Sequence, residues 1–215
     1  MQPNSNLQNE TPISSRPTRD RIFYVALEMF FNSNFEDVSI RDIAQAANVK
    51  IPTIYNHFDS KEALLQSFYD FYGYHCQKAK PDIHDLLALV EIEPPHTVLM
   101  KAKYCFDPEL QPTMDRIFSL AARDINFKRS EKFIQEHIFD TVTGLLRPLL
   151  ESMIKLGRIE PLDVDVFLSL VTNYAFSAAF LSGTTFHITL ETWFAGLDML
   201  YSLVKPTNKE NVEQN

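Results

Sequence analysis

NVKIPTIYNHFDSKEAL, Asn48 to Leu64, sets one proline, two aromatic residues, a histidine and two lysines within 17 residues of an acidic chain. Pro52 suits the first turn of a helix, where its missing N–H costs nothing. Asn48, just before it, tolerates the left-handed backbone that a tight helix exit requires. Upstream, Ser39 and Asp42 form a capping-box pattern, followed by Ile40, Ile43, Ala44 and Ala47 on one stripe. Two short helices therefore meet across a tight turn. Their apolar residues Ile43, Ala44, Val49, Ile54 and Phe58 face inward. Lys50, Ile51, Thr53, Tyr55, Asn56 and His57 are left outward on the second helix of the pair, expected to run to about Phe58. A helix with such a face fits a DNA major groove, with polar side chains at base edges and phosphates.

Working outward, residues 19–31 (RDRIFYVALEMFF) place Ile22, Val25, Ala26, Met29 and Phe30 on the template of an amphipathic helix. Downstream, Asp59 starts a fourth helix, expected over Ser60 to about Lys80. Short segments punctuated by Pro81, Pro94-Pro95, Pro108 and Pro112 follow. Further helices are expected over 112–128, 130–155 (with a bend at Pro148 and a stop at Gly157), 163–182 and 185–204. No credible strand alternation or internal repeat is present. The fold class is all-α: a three-helix N-terminal helix-turn-helix domain plus a larger helical C-terminal domain for ligand binding and dimerisation. The expected boundaries are a disordered tail over 1–17, the helix-turn-helix domain over 18–66, the regulatory domain over 67–205 and a second tail over 206–215.

Composition narrows the function classes. The 215 residues are 45% hydrophobic, enough for a full core, and only five are glycine. That scarcity argues against glycine-rich phosphate loops and a turn-dense β fold. The net charge of −8 excludes a generic nucleic-acid coat, so any DNA contact must be focused. Cys76 and Cys105 read as free buried thiols of a reducing cytoplasm. The histidines lack metal-ligand spacing, no catalytic grouping stands out, and neither a metal nor a cofactor is expected. Residues 166–190 carry no charged side chain, but Asn173, His187 and Gly183 favour two buried helices over a membrane span.

The stretches TRDRIFYVALEMFF, SIRDIAQAANV, PTIYNHF and SKEAL, in this order and spacing, resemble the DNA-binding domain of TetR-type transcriptional regulators. The resemblance covers about residues 18–66. It implies a cytoplasmic homodimer that binds double-stranded operator DNA, usually as a repressor, and that a small ligand in the C-terminal domain releases. It also implies DNA contacts by Thr53, Tyr55, His57 and Lys61, with Ser39 and Arg41 at the start of the preceding helix and Lys50 and Ile51 opening the recognition helix. Asn48 and Pro52 often appear as glycine in the family, and Ile51 stands where a polar base reader is frequent. Ile51 is therefore expected against a thymine methyl. Tyr55, His57 and Lys61 are expected on phosphates; Thr53, Asn56 and Arg41 on base edges.

For the regulatory half, Val166, Leu170, Asn173, Tyr174, Ser177, Ala178 and Leu181 lie at helical spacing and are expected at a homodimer interface. Two-fold pairing would set the recognition helices roughly 34 Å apart. A small apolar or aromatic inducer is expected among Phe68, Phe71, Tyr72, His75, Met100, Tyr104, Met114, Phe118 and Phe176, with the fourth helix as the lever. Control by a partner protein, and an enzyme, are the competing readings.

Overall fold

In the computed structural model, which describes residues 15–102, 109–124, 128–182 and 190–207, the regular elements are helices. They are α1 (Thr18–Asn32), a 3₁₀ turn (Phe35–Asp37), α2 (Ile40–Ala46), α3 (Ile51–Tyr55), α4 (Lys61–Ala79), α5 (Ile83–Leu89), α6 (Pro95–Lys101) and α7 (Gln111–Asp124). Next, α8 (Glu131–Ile134) passes through a π turn (Gln135–Phe139) into α9 (Asp140–Lys155), followed by α10 (Val164–Ser182) and α11 (Leu190–Tyr201). The chain forms two compact units that divide between Phe71 and Tyr72, inside α4, rather than at the expected 66/67.

The first unit closes around aromatic side chains. Phe68 of α4 meets Phe23 edge-on, with ring centroids 4.8 Å apart, and Phe30 at 6.0 Å. Phe71 packs on Phe23 at 5.2 Å and Phe35 on Phe30 at 5.1 Å. This partnership rotates the buried stripe of α1. It runs through Ile22, Phe23, Ala26, Leu27 and Phe30, so Phe23 and Leu27 take the places expected for Val25 and Met29. Each of the four larger side chains contributes roughly 1.5–3 kcal/mol, a large share in so small a core.

The second unit is built on a cluster that includes Leu86, Val98, Leu99, Leu149, Met153, Phe167, Val171 and Leu197. The expected helix over 130–155 carries Pro148 within α9. Its departure from α geometry is the π turn. The last carbonyls of α9 are closed where Gly157 takes φ +64° and Arg158 N–H donates to Met153 O at 2.8 Å. Arg158 then donates its guanidinium to Glu91 O and Glu93 O, at 2.7 and 2.8 Å. Pro206 and Thr207, expected in a disordered tail, are paired instead. Pro206 bridges Ile159, Glu160 N–H reaches Lys205 O at 2.9 Å, and Thr207 N–H reaches Arg158 O at 3.1 Å.

Among the described residues, no helix is long and apolar enough to cross a membrane, and no group of His, Cys, Asp or Glu has the makings of a metal site. Cys76 is a buried free thiol, and desolvation pushes it up to about 12, against a smaller opposing hydrogen bond with Tyr72. A thiol so held stays protonated and unreactive. Cys105 lies outside the described residues.

Candidate nucleic-acid interface

Both ends of α2 are fixed by short-range chemistry. At the N-terminus, Ser39 Oγ accepts from Asp42 N–H at 3.2 Å while Asp42 Oδ2 accepts from Ser39 N–H at 3.0 Å, the reciprocal capping box. Ser39 Oγ also donates to Asp42 Oδ2, and this bond is the main cause holding the Asp42 carboxyl below its ordinary range. At the C-terminus, Asn48 takes φ +52°. Its N–H donates to Gln45 O at 3.1 Å, and Val49 N–H donates to Ala44 O at 2.9 Å. This is a Schellman closure with asparagine at the left-handed position. Arg21 of α1 adds a bond from Nε to Ala47 O at 3.0 Å, which ties the turn to the first helix.

The tight turn delivers α3, whose buried anchor is Ile54, with Phe58 buried just beyond the helix. The helix is shorter than expected and ends at Tyr55; Asn56 and His57 form the turn that follows. Lys50, Ile51, Pro52, Tyr55, Asn56 and His57 are exposed, and Thr53 is half-buried. Ile51 is 40% and Tyr55 49% exposed. Arg41 is exposed too. Its neighbour Asp42 is turned onto Ser39, so the Arg41 charge is not spent on that carboxylate beyond a weak through-space effect.

Two of the expected contacts are engaged elsewhere. Lys61 Nζ donates to Phe35 O at 2.5 Å and to Val38 O at 2.7 Å, and lies 4.0 Å from the centre of the Phe35 ring. The amine expected on a phosphate is thus turned inward, onto the connection between α1 and α2. A lysine has three donors; two are satisfied by these carbonyls, and Phe35 O also accepts from Val38 N–H at 3.4 Å. Ser39 is likewise committed, its hydroxyl both donating to and accepting from Asp42.

The expected ligand-site residues divide between the units. Phe68 and Phe71 belong to the first unit, where both pack on Phe23. Tyr72 and Phe118 stack with centroids 5.7 Å apart and planes 10° apart. Phe133 and His137, which the sequence reading missed, complete this group at 5.0 and 5.3 Å from Tyr72. Their spacing of four and the π turn bring both rings to one side. Gly73 leaves room for this approach, since a Cβ there would lie 3.3 Å from His137 Nε2. Burial holds the His137 imidazole below its ordinary range, opposed by Glu136. Met114 is fully buried, Phe176 and His75 are half-buried, and Met100 packs against the core around Val98 instead. Tyr104 lies outside the described residues.

Of the expected dimer residues, Val166, Leu170, Asn173 and Ser177 are exposed along one side of α10, and exposed Phe180 continues the row. Ala178 is buried, and Tyr174 packs on α11, its hydroxyl 3.3 Å from Thr192 O. The Leu181 side chain falls outside the description.

The first unit is therefore a helix-turn-helix domain with one short helix, α3, at its surface. Residues 22–68 match the model of the bacterial regulatory proteins of the tetR family, and the first unit is similar to the domain that model describes. It is 39% identical over 62 residues to the HTH-type transcriptional regulator UidR of Escherichia coli K12, a match covering 29% of this chain and 30% of that protein. It is 32% identical over 57 residues to the HTH-type transcriptional repressor KstR2 of Mycolicibacterium smegmatis, covering 26% and 28%. The chain thus matches under a third of the length of these curated relatives. The fold is shared more widely. The TetR family regulator PfmR of Thermus thermophilus superposes with a TM-score of 0.59 at 21% identity, covering 85% of this chain and 97% of that one. A TetR-like regulator from a Rhodococcus species gives 0.53 at 16% identity, covering 86% and 94%.

Proposed function

We propose that this protein is a cytoplasmic, homodimeric repressor that binds operator DNA through α3 and leaves it when a small, largely apolar ligand occupies the second unit. The observation that carries the DNA reading is the exposed face of α3 and the turn after it, with Tyr55, Asn56 and His57 held outward by the buried Ile54 anchor. Thr53, Asn56 and Arg41 are assigned to base edges, Tyr55 and His57 to phosphates, with Lys50 and Pro52 flanking and Ile51 against a thymine methyl. The uncommitted Arg41 supports its place in this set. KstR2, a relative over the first unit, is named a repressor, which supports the sign of regulation.

The test is selection of duplexes from a random pool by the full-length protein. A palindromic consensus is the expected result, and Asn56→Ala should cost on the order of 1–3 kcal/mol while relaxing preference at one position per half-site. Failure to enrich any sequence overturns the reading.

The dimer reading rests on the exposed apolar row Val166, Leu170 and Phe180 of α10, and on Met199 near the end of α11 and Leu203 just beyond it, 73% and 57% exposed. For the ligand, the stacked group of Tyr72, Phe118, Phe133 and His137 is the favoured locus, because ligand sites join apolar surface to a few polar groups. A thermal-shift screen should favour aromatic or acyl-bearing molecules. Phe118→Ala should abolish the shifts while the chain still melts cooperatively. Hits confined to small charged compounds would move the site elsewhere. Release requires the ligand to bind the non-DNA-binding state more tightly, and operator DNA must then weaken the ligand by the same factor.

A further inference from the structure

The charge of the first unit poses a problem for DNA binding. Residues 15–71 carry eight carboxylates against six cations: Arg16, Arg19, Arg21, Arg41, Lys50 and Lys61. Two of the six are turned onto the protein's own backbone, Arg21 onto Ala47 O and Lys61 onto two carbonyls. Phosphate neutralisation supplies most of the sequence-independent affinity for a duplex, so the few remaining cations must carry it.

Arg19, in the first turn of α1, differs from the two committed cations. It is exposed, and among the described residues its guanidinium has no hydrogen bond or ion pair. Its Cζ lies 5.2 Å from the centre of the Phe58 ring. Phe58 directly follows Tyr55, Asn56 and His57, and it is buried, with its N–H donating to Ile54 O at 2.9 Å. A guanidinium over an aromatic face keeps its five donors at the rim of the plane, free for oxygen acceptors. The ring therefore does for Arg19 what a carboxylate does elsewhere, fixing the side chain without neutralising it. It fixes it beside the end of the recognition helix, although the two are far apart in sequence.

Resting on the reading of α3 as the DNA-binding helix, we infer that Arg19 is a phosphate-binding residue of the interface, stationed by Phe58. It supplies charge and orientation and reads no base. The experiment uses the full chain with a duplex selected by the wild-type protein and an unrelated duplex of equal length, across a series of salt concentrations. Arg19→Ala is expected to weaken both duplexes on the order of tenfold near 0.1 M salt. It should also make the log–log salt slope shallower by about 0.9 for each Arg19 engaged, with the selected consensus unchanged. Arg19→Lys should retain the slope. An Arg19→Ala protein with the wild-type slope overturns the proposal, whether its affinity is intact or lost, since a purely structural role leaves the number of released counterions alone. A changed consensus also overturns it, by making Arg19 a base reader. A wild-type protein that selects no duplex defeats the underlying DNA reading itself and is told apart by that result.

Discussion

Lys61→Met is expected to destabilise the first unit by on the order of 2–3 kcal/mol, and to weaken binding to every duplex alike. The substitution keeps the apolar stem over Phe35 but removes the ammonium from Phe35 O and Val38 O. Val38 O loses the ammonium in a part-buried place, Phe35 O keeps only the 3.4 Å bond from Val38 N–H, and an unmade bond to a charged group costs more than a neutral one. Val38 immediately precedes Ser39, so the loss reaches the capping box and the position of α2. Thermal or urea unfolding of the variant checks the stability, and a salt series checks the mechanism. Weakened binding with an unchanged salt slope fits the clamp. A shallower slope at wild-type stability would return Lys61 to the phosphates.

Gly196→Ala carries the second large effect, in the other unit. A Cβ at position 196 would fall 2.0 Å from the Tyr174 hydroxyl oxygen and 2.4 and 2.9 Å from two ring atoms. All three atoms belong to one phenol group, so they are relieved only if that whole ring swings away or the backbone moves. Either the ring leaves its place near Thr192 O, or α10 and α11 separate. Overpacking of this kind costs about 1–3 kcal/mol. The exposed row Val166, Leu170 and Phe180 lies on the same α10, so the proposed dimer should weaken as well as the fold. Sedimentation at micromolar protein should show a dimer for the wild type and a shift toward monomer for the variant. A wild type that sediments as a monomer would sink the dimer proposal, and a variant with unaltered melting would show that the ring moves freely.

What the sequence disclosed and what it withheld follow the range of the interactions. Ser39 with Asp42, Asn48 with Gln45, and Ile43 with Ile54 lie within a few turns of each other, and their residue types fix the geometry. The helix-turn-helix was legible for that reason. The partners of Lys61 are 23 and 26 residues away and are backbone carbonyls, which carry no residue-type signal. A lysine at the start of a helix reads the same from sequence whether its amine points to a phosphate or to a loop. The α1 stripe was misplaced on similar grounds. Val25 and Phe23 are both apolar at helical spacing, and only the arrival of Phe68 and Phe71 decides between them. In the second unit, apolar residues outnumber what any one stripe needs. The pattern therefore located helices more readily than it chose among the apolar side chains that could line a site.

The π turn at Gln135–Phe139 has a consequence for how this chain tolerates changes of length. A π turn holds one residue more than the α turn it replaces, so it takes up an extra residue without unwinding its neighbours. Removing one residue there would let α8 run into α9 as ordinary helix, and Leu145, Leu149 and Met153 would keep their mutual spacing. The same removal inside α9 would turn those side chains about 100° apart along the helix, out of the core they share. Between Ser130 and Lys155, this is a place where the chain can lose a residue with the core of α9 left intact.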